Sequence, residues 1–376
     1  MPSISIKASD FRVLRRFSWQ PEGVCLLAGA NGAGKTTTLS VLEFVSALFR
    51  RGHEAGLAAI GGGSLQHLDA DPKEPVELTV EVGEITWDLR FPVSATGLQG
   101  TYGEVLRRGD EVILRAPVFS DVWYLNEEEL PHQDERCCAK RLWDRGDAKW
   151  MQPLVDALEG IRVHGSYWLN QVRKSEAINP RHSFLHGTGR NLWSVLANWK
   201  SSPIRYKGQY DWVLREACSA FPGILGTIEF DRGLTYLFRP GDTDAAGGLP
   251  PERAPDGLLT GLLHLAAVAG ARDGAVIAFD EFENQLHPFA IRSLMRALRE
   301  QAEERDLTII MTTHSPVVMN EFRECPENLY VLTGGQEAQP VALDQIFDED
   351  ALLQVRLGEL YDQLDFAAPG RSPRSE

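Results

Sequence analysis

No run of 18 apolar residues occurs, so nothing in the chain reads as a membrane-spanning helix. The opening Met1-Pro2-Ser3-Ile4-Ser5-Ile6-Lys7 lacks the apolar core of a secretory signal, which points to a cytoplasmic protein. Cysteine is scarce: five residues, an odd number, include the adjacent Cys137-Cys138 and show no metal-ligand spacing, so they read as reduced thiols. Basic charge is short as well. With 38 Lys and Arg against 53 Asp and Glu, the net charge of −15 argues against a general nucleic-acid coat and leaves only a local basic groove open. The absence of sustained heptads excludes a long coiled-coil arm. Internal repeats, a nucleophile-elbow serine and a supported Cys–His pair are also missing. What remains is a globular composition, 43% hydrophobic and 24% charged, with room for one large domain or two ordinary ones.

Against that background one octapeptide stands out. Gly29-Ala30-Asn31-Gly32-Ala33-Gly34-Lys35-Thr36 fits the phosphate-loop pattern G-x-x-x-x-G-K-[ST] without a mismatch, and Thr37 continues it. Consecutive backbone N–H groups must curl around a polyphosphate, and glycines permit both the turn and the close approach. Lys35 then reaches the β- and γ-phosphates, and the Thr36 hydroxyl is left to hold Mg²⁺. Val24-Cys25-Leu26-Leu27-Ala28 reads as a buried strand before the loop. Leu39, Leu42, Val45 and Leu48 recur at helical spacing after it. Strand, glycine loop and helix N-terminus form the setting for a nucleoside triphosphate.

A second apolar run, Ala275 to Phe279, ends in Asp280-Glu281, the pattern of a Walker B strand. Asp280 is expected in the Mg²⁺ shell, and Glu281 to orient and deprotonate the attacking water. A third run, Leu307 to Thr313, ends in His314, with Ser315-Pro316 as a helix start. His314 then sits at a strand's carboxyl end, where open α/β sheets bind ligands.

The rest of the chain supplies the frame. Up to about residue 115 it reads as short strands, with a hairpin of Val76–Val82 and Ile85–Phe91 across Gly83-Glu84. Gly56 to Gly63 reads as a glycine-rich surface loop. From 120 to 222 the pattern is helical, and seven of the nine tryptophans fall between Trp123 and Trp212. They read as the core of a helical subdomain, with a base-stacking platform as the other reading. Strands return at 227–230 and 234–238, and a loop from Gly241 to Pro251 leads into an apolar helix, Leu258 to Ala269. Strand and helix then alternate to Phe322, the order of a parallel sheet with packed helices. His182 and His186, four apart, lack a third ligand and read as surface histidines. Lys7, Arg12, Arg15 and Arg16 form a small basic cluster, a solvated edge or a DNA contact.

The three nucleotide motifs, with Asn284-Gln285-Leu286-His287-Pro288 after the acids and Thr313-His314-Ser315-Pro316 after the third strand, resemble the ABC-type ATPases of the RecF/SMC branch. Within it they are similar to the stand-alone OLD-like ATPases often encoded beside nucleases in bacterial defence and repair loci. Gly187 to Leu196 resembles that group's lid segment, and Arg356 to Tyr361 its C-terminal segment. The resemblance implies an α/β P-loop NTPase, an ABC-type head with a mixed or parallel sheet and an inserted helical lid. The expected parts are 1–119 and 223–345 as the two halves of the head, 120–222 as the lid and 346–376 as a C-terminal segment with a disordered tail.

It further implies ATP and Mg²⁺ as cofactors and a homodimer of heads sandwiching two ATPs. The signature segment met by the opposite head's γ-phosphate falls at Ala254 to Thr260. That segment keeps Asp256-Gly257 but has Pro255 where the family has serine, so hydrolysis is expected to be weak or partner-dependent. Phe282 to Pro288 would be the D-loop at the dimer interface. Gln66 is the candidate for the Mg²⁺-sensing glutamine, and Arg12 or Phe17 for a nucleotide contact, Phe17 reading equally as core. The stretch after His314 is too short for a nuclease domain, so an effector, nuclease or toxin, is expected on a separate chain, with nucleic acid as a further partner. Two other functions stay open: the nucleotide-binding subunit of a membrane transporter, and a regulatory scaffold that senses ATP with little turnover. Transporter subunits usually place Lys35 and Asp280 equivalents closer together and keep an intact signature.

Overall fold

A computed structural model describes residues 3–62, 64–71, 73–94, 97–98, 102–131, 136–174, 179, 181–206, 208–242, 247–332, 339–347 and 357. The chain begins with β1 (Ile4–Phe11), β2 (Leu14–Trp19), β3 (Val24–Ala28), α1 (Lys35–Arg51) and α2 (His53–Ala59). Strands follow: β4 (Val76–Val82), β5 (Ile85–Phe91), β6 (Val93–Ser94), β7 (Gly97–Leu98), β8 (Gly103–Arg108), β9 (Glu111–Ala116), β10 (Val122–Leu125) and β11 (Glu128–Pro131). The middle holds α3 (Cys138–Asp144), α4 (Gln152–Gly160), β12 (Arg162–His164), α5 (Leu169–Arg173), α6 (Leu192–Ser201), α7 (Pro203–Tyr206) and α8 (Gln209–Ala220). The chain continues with β13 (Thr227–Asp231), β14 (Leu234–Phe238), α9 (Asp256–Ala269), β15 (Val276–Phe279), α10 (Pro288–Arg305), β16 (Thr308–Thr312), α11 (Pro316–Asn320), β17 (Leu329–Leu332) and β18 (Pro340–Ala342).

Two large sheets organise these elements. An antiparallel sheet runs β11-β10-β9-β8-β5-β4-β1-β2, and a second runs β12-β15-β16-β3-β17-β18. In the second, all pairings are parallel except that of β17 with β18. It is covered on both faces, as parallel sheets require. Cys25 and Leu27 of β3 point into the core shared with α1 and the antiparallel sheet, together with Ala278 and Ile310. Leu26 and Ala28 point the other way, with Phe279 and Met311, into the core under α6, α8, α9 and α10. Strict alternation between two buried faces explains why β3, β15 and β16 read as unbroken apolar runs.

Three stretches differ from the expectation. The stretch 56–63, expected as a loop, begins inside α2, which holds residues 56–59. Gly56 is buried there because a Cβ would stand 3.1 Å from the Phe44 ring, so the glycine serves close helix packing. The span expected as a helical lid opens with β10 and β11, which extend the antiparallel sheet. Its aromatic pattern hid them: Trp123 is buried while Tyr124 and Leu125 are half-buried. The same span also supplies β12, which pairs in parallel with β15. Trp123, Trp193 and Trp199 are core residues; Trp168 is 53% exposed. The C-terminal segment 358–376 and most of 346–357 lie outside the described residues.

Candidate functional site

The register of the central sheet aligns the three motifs. Leu26 on β3 pairs with Met311 on β16, and Met311 with Phe279 on β15, so all three strands deliver their carboxyl ends to one edge. A cleft of about 190 Å³ there is lined by Asn31, Gly32, Gly34, Lys35, Thr36 and Thr37 of the loop. Asp280, Glu281, Thr312 and His314 line it from the other two strands, and Val13 closes one side.

The loop is shaped for an anion. Gly34 (φ 110°) leads into α1, whose first amides meet no capping side chain. A Cβ on Gly29 would stand 2.5 Å from the Leu332 carbonyl oxygen, so only glycine lets the loop lie against β17. Lys35 Nζ donates to the carbonyls of Gly29 at 2.7 Å and Ala30 at 3.0 Å. Burial lowers the Lys35 pKa, while Asp280, Glu281 and Glu283 oppose that fall. Thr36 Oγ1 donates to Asp280 Oδ2 at 2.9 Å, across 244 positions of sequence. Among the described residues no cluster of three His, Cys, Asp or Glu could hold a metal by itself. One carboxylate and one hydroxyl fit Mg²⁺ instead, which keeps waters and phosphate oxygens as its other ligands. Thr36 and Asp280 would hold it.

The acids are fixed by neighbours that the sequence did not single out. Thr312 Oγ1 donates to Asp280 Oδ1 at 2.6 Å and accepts the Glu281 N–H at 2.8 Å. Asn284 Nδ2 donates to Glu281 Oε2 at 2.7 Å. Glu283 accepts from the Thr313 hydroxyl at 2.7 Å and from the His314 N–H at 2.8 Å, tying the acidic bend to the histidine. Burial and then Lys35 lower the His314 pKa, against the opposite pull of Glu283, Glu281 and Asp280, which favours the neutral imidazole. Beneath the acids, Tyr167 Oη and His264 Nδ1 lie 3.1 Å apart, and His264 Nε2 lies 3.1 Å from the Phe282 carbonyl. That carbonyl only accepts, so Nε2 carries the proton and Nδ1 accepts from tyrosine. These roles needed the fold, although Thr312 stands in the apolar run that ends in His314.

Other expected site residues stand elsewhere. Gln66 spends its amide on the carbonyls of Asp71 (2.8 Å) and Glu74 (3.2 Å) and does not line the cleft. Arg12 donates to the carbonyls of Ile60 and Gly62, and Phe17 is buried core. Asp256 pairs with Arg173 at 2.6 Å, where α5 meets the start of α9. Pro255 precedes that helix without a capping bond. Gly257 lies against the Gln285 carbonyl; neither it nor Asp256 lines the cleft of its own chain. Lys7 and Arg15 of the basic cluster pair with Glu81 and Asp10. His182 and His186 are half-buried with rings 5.0 Å apart.

Comparison with known proteins agrees with this geometry. Residues 192–320 match the family described as "AAA domain, putative AbiEii toxin, Type IV TA system". A phosphonates import ATP-binding protein, PhnC, of Chromohalobacter salexigens is 28% identical over 164 residues, 41% of this chain. The match spans only 57% of that protein's length. The crystal structure of an SMC head bound to the C-terminal winged-helix domain of ScpA superposes with a TM-score of 0.50 at 11% identity, covering 92% of this chain and all of that one. An SMC head domain from Thermotoga maritima is similar at 15% identity and a TM-score of 0.44, over 91% of this chain and 99% of that one. By its motifs and by its fold, this chain has the architecture of an ABC-type P-loop ATPase, similar to the heads of SMC proteins.

Proposed function

We propose that the protein hydrolyses ATP with Mg²⁺ and that two copies close on the nucleotide to control a DNA-directed or antiphage-defence process through a separate effector chain. The observation that carries the hydrolytic reading is the convergence of Lys35, Thr36, Asp280, Glu281 and His314 on one cleft. Lys35 would leave its loop carbonyls for the β- and γ-phosphates. Glu281 would take the proton of the attacking water as the γ-phosphoryl group leaves ADP. Neutral His314 would hydrogen-bond the transferring phosphoryl group. Mg²⁺, bound with ATP, offsets phosphate charge during this transfer.

Support for two heads comes from the position of Asp256 and Gly257, away from the cleft of their own chain and beside the D-loop. The likeness to a family described as an AAA domain linked to type IV toxin–antitoxin systems supports the defence setting. A second reading, a transporter's ATP-binding subunit, draws on the partial likeness to the phosphonate importer. Pro255 in the signature-like segment weighs against it.

The deciding experiment uses Glu281→Gln. The variant is expected to keep ATP affinity, to release phosphate at least ~100-fold more slowly, and to shift from monomer to dimer mass only with Mg-ATP. Near-normal turnover would move the base elsewhere. A mass indifferent to nucleotide would remove the two-head mechanism.

A further inference from the structure

Thr312 is wholly buried at the end of β16, and three successive residues of the acidic turn hang on it. Its hydroxyl donates to Asp280 Oδ1 and accepts the Glu281 N–H, and its carbonyl accepts the Phe282 N–H at 3.1 Å. A hydroxyl has one proton and two lone pairs, so the carboxylate and the amide together dictate this direction of bonding. The residue in the middle needs the support. Glu281 has φ 51°, a left-handed conformation that residues with a Cβ avoid. Such a conformation persists only where its surroundings over-determine it. Here His264 holds the Phe282 carbonyl from below, Asn284 holds the Glu281 carboxylate, and Thr312 holds the amide between them. Thr36 grips the other oxygen of Asp280. Valine has nearly the same shape as threonine, so what it would remove at 312 is the hydroxyl and its two hydrogen bonds.

We infer that Thr312 is a positioning residue that locks the carboxylate of Asp280 and the backbone of Glu281 into one geometry, a role resting on the ATPase reading of the cleft. Without the hydroxyl, Asp280 is free to rotate away from Thr36 and the turn at Glu281 relaxes. The phosphate loop, whose Lys35 and Thr36 side chains bond to Gly29, Ala30 and Asp280, keeps its grip on nucleotide.

The test compares Thr312→Val and Thr312→Ser in the full chain. In the valine variant kcat should fall about 100-fold, the scale of a misplaced reacting group, with KM for ATP changed by less than about threefold. Serine should restore turnover to within about threefold of the parent. A second readout needs no turnover: titration of a fluorescent ATP analogue. Binding in EDTA should match the parent, while the Mg²⁺ concentration for half-maximal tightening rises about tenfold in the valine variant, as loss of one ligand-orienting bond implies. Unchanged kcat together with an unchanged Mg²⁺ titration overturns the inference, and so does serine behaving like valine. If the valine protein does not fold, Thr312→Ala replaces it under the same two readouts. If the parent itself shows no phosphate release, the ATPase reading fails, and the Mg²⁺ titration alone then decides the role of Thr312.

Discussion

The carbonyl oxygen of Gln285 stands 2.7 Å from where a Cβ on Gly257 would be, so the start of α9 and the bend after the acids are in direct backbone contact. The contact gives Gly257 a structural reason within its own chain, alongside any role toward a second head. Gln285 itself has φ 66°, so the bend has little freedom to retreat. Gly257→Ala should therefore displace the bend and lower stability by about 1–3 kcal/mol, the usual cost of overpacking. Urea unfolding would measure the loss, and a variant as stable as the parent would mean that the bend yields easily.

Lys35→Ala removes the only ammonium group that lines the cleft among the described residues. ATP affinity should drop by about 100-fold, in line with ~3 kcal/mol for hydrogen bonds to a charged group. Isothermal titration with ATP is the check, and an unaltered Kd would undo the assignment of the loop.

Gln66→Ala should leave Mg-ATP binding where it is, because the amide holds the 71–74 turn and not the cleft. Its effect should be confined to that turn, visible as faster amide exchange near Glu74. A clear loss of Mg²⁺-dependent binding would return Gln66 to the site.

Two buried histidines make stability depend on pH. Burial lowers His264 to about 4 and His164 to about 3 from the usual 6.5. The unfolded chain takes up these protons first as pH falls. The stabilisation is thus complete above pH 6.5 and is lost progressively toward pH 4 and then pH 3. Each histidine contributes a slope of up to ~1.4 kcal/mol per pH unit in that window. Denaturation midpoints between pH 7 and 5 should fall in the parent and fall less steeply in His264→Phe, even though that variant starts lower.

How far the sequence carried can be read from these residues. Gly29 to Thr36, Asp280-Glu281 and His314 are contiguous signals, each attached to its own strand, and period-two burial on two faces made those strands visible. The roles of Thr312 and of Asn284, the latter named only as part of a motif, were hidden because their partners come from other strands or from a bend whose path no pattern reports. Gln66 shows the opposite case: a polar residue in a plausible place has its amide hydrogen-bonded to a local turn. The strands β10 and β11 were lost among aromatic residues that suit a strand or a helix core equally.

Both neighbours of β3 in the central sheet, β16 and β17, come from the far end of the chain. The antiparallel sheet, by contrast, draws all its strands from residues 4–131. During synthesis that sheet has every partner it needs long before β3 does. The strand before the phosphate loop therefore has neither neighbour until β16, ending at residue 312, has been made, and lacks the second until residue 332. The order in which the strands are made thus puts the two halves of the cleft, the phosphate loop and the residues after β15 and β16, at opposite ends of synthesis.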